Sequence, residues 1–139
     1  MSFREKSASV MAILMTSAAL YYLTLFSAAS RAIGTTAPSI AIFIPYVIFV
    51  VAASVVAQVA LALFSPKEAS APADERERIV EHRAGNWSGI VLSVLVVSAL
   101  GHFIVYNDGT LLFHLIMGGL MISQISDYIF RIILLRRSL

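Results

Sequence analysis

Two histidines lie in otherwise apolar sequence, His102 and His114, six residues either side of Asp108. If the intervening Asn107-Asp108-Gly109 is a tight turn, each imidazole lies about 9 Å from it along its own helix. Both then share one depth near a membrane interface. Facing one another across a helix pair, they would hold a metal ion or ligate haem from two sides. Tyr106 and Asp108 are near enough in the chain to orient them. The competing reading is structural, with each ring hydrogen-bonded to a neighbouring helix or resting among headgroups. No third ligand type and no ligand-spacing signature accompanies the pair.

A second grouping is Gln124, Asp127 and Arg131. Steps of three and four place them on one stripe of a helix. An intramembrane carboxylate is costly and marks either function or a paired partner. Asp127 and Arg131 are spaced for an ion pair, with the guanidinium snorkelling to the interface. As a pair at the membrane rim, it predicts that neutralising Asp127 costs on the order of 1 kcal/mol or less. The third charged grouping is Asp74-Glu75-Arg76-Glu77-Arg78. Asp74 with Glu77 three residues on forms a capping-box pattern, and Asp74 with Arg78 forms a favourable i,i+4 pair. This run is either a solvated, self-paired helix or a docking site for a protein partner.

The elements that carry these residues are unmistakably apolar. Four stretches, residues 8–30, 38–64, 87–106 and 110–135, are each long enough to cross a hydrocarbon core of about 30 Å. The fold expected is all-α: one membrane domain over residues 1–139, a four-helix transmembrane bundle of two antiparallel hairpins. Short connections at residues 31–37 and 107–109 make each hairpin tight. Pro38 suits the first position of the second helix, and Pro45 interrupts its hydrogen-bond ladder. Pro66 and Pro72 bracket an Ala/Ser-rich run expected to be extended. Gly119 with Ser123, and Ala53 with Ala57, supply the small residues that let membrane helices approach closely.

Charge sets the orientation. Of the ten Lys and Arg residues, only Arg31 lies in either short connection. The others precede the first helix, lie in the 65–86 linker, or end or follow the last helix. Both termini and the linker are therefore expected on the cytoplasmic side of the cell (inner) membrane. The first apolar stretch exceeds the 7–15 residues of a cleaved export signal and reads as a retained helix. In the linker, Lys67, Arg76, Arg78 and Arg83 are outnumbered by Glu68, Asp74, Glu75, Glu77 and Glu81, so it is no polybasic lipid-binding segment. Juxtamembrane Lys and Arg account for a pI near 9.2 without any direct nucleic-acid binding. There is no cysteine, which excludes disulfides, thiolate metal sites and cysteine nucleophiles. Gly-rich phosphate loops, HExxH and hydrolase signatures are absent, so the expectation is no enzyme.

The linker motif and the C-terminal segment carry a resemblance. Asp74-Glu75-Arg76-Glu77-Arg78-Ile79, then Glu81 and Arg83-Ala84, is similar to the junction between two hairpins in a family of small, uncharacterised bacterial four-helix membrane proteins. The segment Ser126-Asp127-Tyr128-Ile129-Phe130-Arg131, ending in Arg136-Arg137, resembles that family's short basic tail. The resemblance covers residues 74–137 and implies a multi-pass bacterial membrane protein. Some such proteins accompany DNA-binding regulators, which implies a membrane-tethered regulatory role; no catalytic residue carries over. Three functional expectations result. The first is a non-enzymatic protein acting through a cytoplasmic partner at the 65–86 linker, in regulation or assembly. The second is a ligand-, metal- or haem-binding protein using His102 and His114. The third is a small transporter, which would need a homo-oligomer, since four helices do not enclose a water-filled pore.

Overall fold

The computed structural model describes residues 2–137, which form four long helices and one short turn of helix. Helix α1 spans Phe3–Ile33, α2 Ser39–Phe64, α3 Pro66–Ala69, α4 Glu75–Tyr106 and α5 Gly109–Arg137. Among the described residues there is no strand. All four long helices are apolar and long enough to cross a membrane.

Each boundary has a local cause. Ser2 caps α1 by accepting a hydrogen bond from the Glu5 N–H at 3.2 Å. Gly34 ends that helix in the left-handed region, at φ 76°, and its N–H returns to the Ser30 carbonyl. Pro38 is the residue before α2 rather than its first, and Pro45 lies inside the helix. Ser65 ends α2. Pro66, in the run expected to be extended, instead opens the single turn α3, where its missing N–H costs nothing. The Asp74/Glu77 capping box is formed in full and starts α4. Asn107 closes α4 in the left-handed region, at φ 53°. The Asp108 carboxylate accepts the Leu111 N–H at 3.1 Å, so the next helix starts at once.

The charged half of the linker is helical and runs without a break into the third apolar stretch, as the beginning of α4. At 32 residues α4 is about 48 Å long, well beyond a hydrocarbon core, so its first three turns project from the apolar section.

Packing follows the order α4–α5–α1–α2. Helices α1 and α5 form the middle, and α2 and α4 lie at the edges. The α4–α5 contact relies on small residues. A Cβ on Gly119 would lie 3.3 Å from Leu95 Cβ, and Ser123 Oγ donates to the Ser88 carbonyl at 2.9 Å. Trp87 meets Phe130 edge-on at 5.5 Å. The buried cluster of Ala18, Tyr22, Ala37, Ile42, Tyr46 and Met121 joins α1, α2 and α5. Large apolar side chains of the edge helices, such as Ile48 and Val56 on α2 and Val97 and Ile104 on α4, point outward. That is the inverse of a soluble core and fits a lipid surround.

Candidate functional site

Polar side chains gather at the two ends of the helices. At the end carrying the connections 34–38 and 107–108, His114 is the centre. It is buried, and both ring nitrogens are engaged. Nε2 donates to the Ala37 carbonyl at 2.9 Å, and Nδ1 meets the Tyr22 hydroxyl. A carbonyl only accepts, so the proton belongs on Nε2. Nδ1 of the neutral ring then accepts from the Tyr22 O–H. Phe26 packs on the imidazole at 4.7 Å, and Tyr46 meets Tyr22 edge-on at 5.3 Å. Nearby in the chain, Thr36 Oγ1 donates to Asp108 Oδ2 at 3.2 Å, tying the two connections together.

His102 has different surroundings. It is half-buried and stacks on Tyr106, with centroids 4.3 Å apart. The contacts of the two histidines thus do not converge: one is held by α1 and the 34–38 connection, the other by its own helix. Asp108 and Tyr106 do not orient a shared site either, since Asp108 caps α5 and Tyr106 only stacks. Among the described residues no three His, Asp or Glu side chains converge as a metal site.

At the opposite end lies an ionic network. Arg131 bridges two carboxylates, Asp127 Oδ2 at 2.8 Å on its own helix and Glu81 Oε1 at 3.0 Å on α4. Its guanidinium also lies 5.6 Å from the Tyr128 ring centroid. The Asp127 side chain is only 13% exposed, so this pair is more enclosed than a rim pair. Gln124 is exposed and outside the group. Further pairs link distant parts of the chain: Arg4 with Glu77 at 3.0 Å, Lys6 with Glu68 at 3.3 Å, and Arg136 with the buried Glu5 at 2.9 Å. Deeper, Ser7 Oγ donates to Gln58 Oε1 at 3.1 Å, joining α1 to α2.

The run Asp74–Arg78 is divided between two tasks. Asp74 and Glu77 cap α4, with Glu77 also holding Arg4. Arg76 Nη2 donates to the Leu135 carbonyl at 2.6 Å, where a cation suits a helix C-terminus. Glu75 and Arg78 are exposed. The expected Asp74–Arg78 pair is replaced by the cap, because the backbone N–H groups of the first turn need Asp74 more than a solvated guanidinium does.

Between the linker, the start of α1, Gln58 of α2 and the facing turns of α4 and α5 is a cavity of about 620 Å³. In the sequence Tyr22 reads only as a packing or interface aromatic, and Glu5 and Gln58 carry no pointer to these partners. Only Gln58 had a signal of its own, as the one amide within the 38–64 apolar stretch. No protein-family model, curated protein or solved structure matches the chain. What fold and site define is a class, an all-helical multi-pass membrane protein with an ionic network at one end and an aromatic–imidazole cluster at the other.

Proposed function

We propose that this is a non-enzymatic protein of the cell's inner membrane that acts through a cytoplasmic protein partner, in regulation or assembly. In this reading α1 with α2, and α4 with α5, are two antiparallel hairpins whose termini and linker are cytoplasmic. The distribution of Lys and Arg supports that orientation. So does the concentration of ion pairs at the end carrying the termini.

The observation that carries the functional reading is the two-sided first third of α4. One face, with Arg76, Glu77, Val80, Glu81 and Ala84, is turned toward the other helices. The other presents Glu75, Arg78, Ile79, His82 and Arg83, all exposed and without an ion pair among the described residues. Spacings of three and four put these five on one stripe. A rigid helix, fixed on one side, thus offers a mixed surface with Ile79 at its centre and a basic excess. An acidic partner surface around an apolar spot is complementary to it. The resemblance to bacterial membrane proteins that accompany regulators agrees with such a role.

Two experiments test it. A cysteine at Ser70 should react with an impermeant maleimide only from the cytoplasm, and one at Asn107 only from outside; the reverse pattern overturns the topology. A photo-crosslinker at Ile79 should give one discrete adduct in cells, absent when placed at Val80 and lost with Arg78→Glu/Arg83→Glu. If no adduct depends on those two arginines, the docking role is wrong.

A further inference from the structure

Three ion pairs at the terminal end join three helices two by two. Arg4 of α1 holds Glu77 of α4, Arg131 of α5 holds Glu81 of α4, and Arg136 of α5 holds Glu5 of α1. A fourth pair, Lys6 with Glu68, ties α3 to α1. The ring closes on α1 and α4, which are not adjacent in the packing order. The cavity lies between them, and Arg4 and Glu77 are both in its wall.

The pairs are unequally enclosed. The Glu5 and Asp127 side chains, which hold Arg136 and Arg131, are 11% and 13% exposed. Those of Glu77, Glu81 and Glu68, which hold α4 and α3 in place, are 20%, 50% and 52% exposed. Salt screens exposed pairs far more than enclosed ones. Separating α4 strands no charge, because the more enclosed member of each pair has a second contact within its own helix or cap. Glu77 Oε2 also accepts the Asp74 N–H at 3.2 Å, and Arg131 keeps Asp127 at 2.8 Å. Arg4 and Glu81 pass to water. The Nε groups of Arg76 and Arg131 are buried without a hydrogen bond among the described residues, and they too gain water on release. Against release stand Val80 and Ala84, buried on the inner face, and Arg76 on the Leu135 carbonyl. Gly85, with open space at its Cβ position, lies where the base of α4 meets the crossing and holds helix more weakly than its neighbours.

We infer that this ring is a clasp governed by ionic strength. In dilute salt the first three turns of α4 dock on α1 and α5. As salt rises they swing away and open the cavity, while α1 and α5 stay together through Glu5 and Arg136. The base of α4 is thus a two-state element whose balance is set by screening. The clasp is independent of the partner-docking role, since it belongs to the chain in lipid and is read with no partner present.

The test is a distance measurement by double electron–electron resonance on the full chain in phosphatidylcholine nanodiscs. The chain has no cysteine, so spin labels can be placed on cysteines substituted at Ile79 and Arg137, reading α4 against α5. A second pair at Ile13 and Arg137 reads α1 against α5. Raising KCl from about 50 to about 500 mM should increase the ratio of longer to shorter Ile79–Arg137 distances about five- to tenfold. The Ile13–Arg137 distance should not change, and sucrose of matched osmolality should move neither. Glu77→Gln/Glu81→Gln keeps the capping box, because glutamine also serves at that position. It should populate the longer distance in dilute salt and lose the response to KCl. Should that variant fail to fold, Arg4→Gln takes its place, with the ratio raised about two- to fivefold in dilute salt. An Ile79–Arg137 distance unmoved by KCl, or moved equally by sucrose, overturns the inference. So does equal lengthening of Ile13–Arg137, or a salt response in the variants as large as that of the wild type.

Discussion

His114→Phe removes both hydrogen bonds of the imidazole while keeping an aromatic ring against Phe26. Two groups lose their partner: the Tyr22 hydroxyl and the Ala37 carbonyl. A buried polar group left unpaired costs about 1–3 kcal/mol in soluble proteins. Hydrogen bonds between membrane helices couple more weakly, about 0.6 kcal/mol on average and about 1.7 at most. Two lost bonds therefore predict destabilisation between about 1 and 3.5 kcal/mol. Tyr22→Phe loses one of the two and should cost about 0.6–1.7 kcal/mol. The double variant should cost less than the sum, because the shared bond is broken once in either background. Reversible unfolding in mixed micelles, followed by circular dichroism, measures all three. His102→Ala, read in parallel, should cost less than His114→Phe, as its ring is half-buried and, among the described residues, its ring contact is the stack on Tyr106. Strict additivity of Tyr22→Phe and His114→Phe would refute the hydrogen bond. A haem Soret band or stoichiometric metal lost in both histidine variants would refute the structural role of His114 itself.

Asp127→Asn should cost about 1–3 kcal/mol in the same unfolding assay, more than a rim pair, because its carboxylate is enclosed while Arg131 keeps only Glu81; a cost under about 0.5 kcal/mol would place the pair in water. Gly119→Leu should destabilise by about 1–3 kcal/mol through overpacking against Leu95, whereas Gly118→Leu, with open space at its Cβ, should change the same melt little. Asp74→Ala should cost about 1 kcal/mol and raise amide exchange in residues 75–78, the turn whose N–H groups its carboxylate serves. Unaltered exchange there would mean the capping box is not what starts α4.

The four apolar helices were legible, and the signals at several of their ends are local, although α1 starts at Phe3 and ends at Ile33 rather than spanning 8–30. Four apolar runs, a capping box at Asp74 and Glu77, Gly34 after one helix and Asn107 after another each act within a few residues. The Asp127–Arg131 pair was legible for the same reason, being one helical turn apart. The 66–69 turn was missed because a proline read as a breaker also fits the first turn of a helix. Partners distant in the chain were not legible. Glu5 pairs with Arg136, Arg4 with Glu77, and His114 with Tyr22, and each depends on which faces of α1, α4 and α5 meet. All four crossings are apolar around most of their circumference, so hydrophobic periodicity gives little indication of those faces. For the same reason His102 and His114 could be assigned one depth but not one site.

In lipid, apolar surface gains little by moving from acyl chains to a neighbouring helix, so specific contacts must decide how the helices associate. Here the two sorts are only partly separated, since Ser123 in the middle also donates to the Ser88 carbonyl. Small residues set the α4–α5 approach in the middle, at Gly119 and Ser123. Side-chain hydrogen bonds and ion pairs do the rest at the ends. Helix α4 illustrates the consequence, since α5 is its main neighbour along the membrane. Its projecting base is held by Arg76 on the Leu135 carbonyl, Glu77 on Arg4 and Glu81 on Arg131. Those three contacts lie on one face; on the other, Arg78, Ile79 and Arg83 are exposed, and neither arginine has an ion pair among the described residues. Arg131 belongs to both Asp127 and Glu81, so removing its charge loosens the base of α4 and changes the cavity wall together. A partner on the outer face would therefore bear on the same three turns of helix that these contacts hold from the inner side.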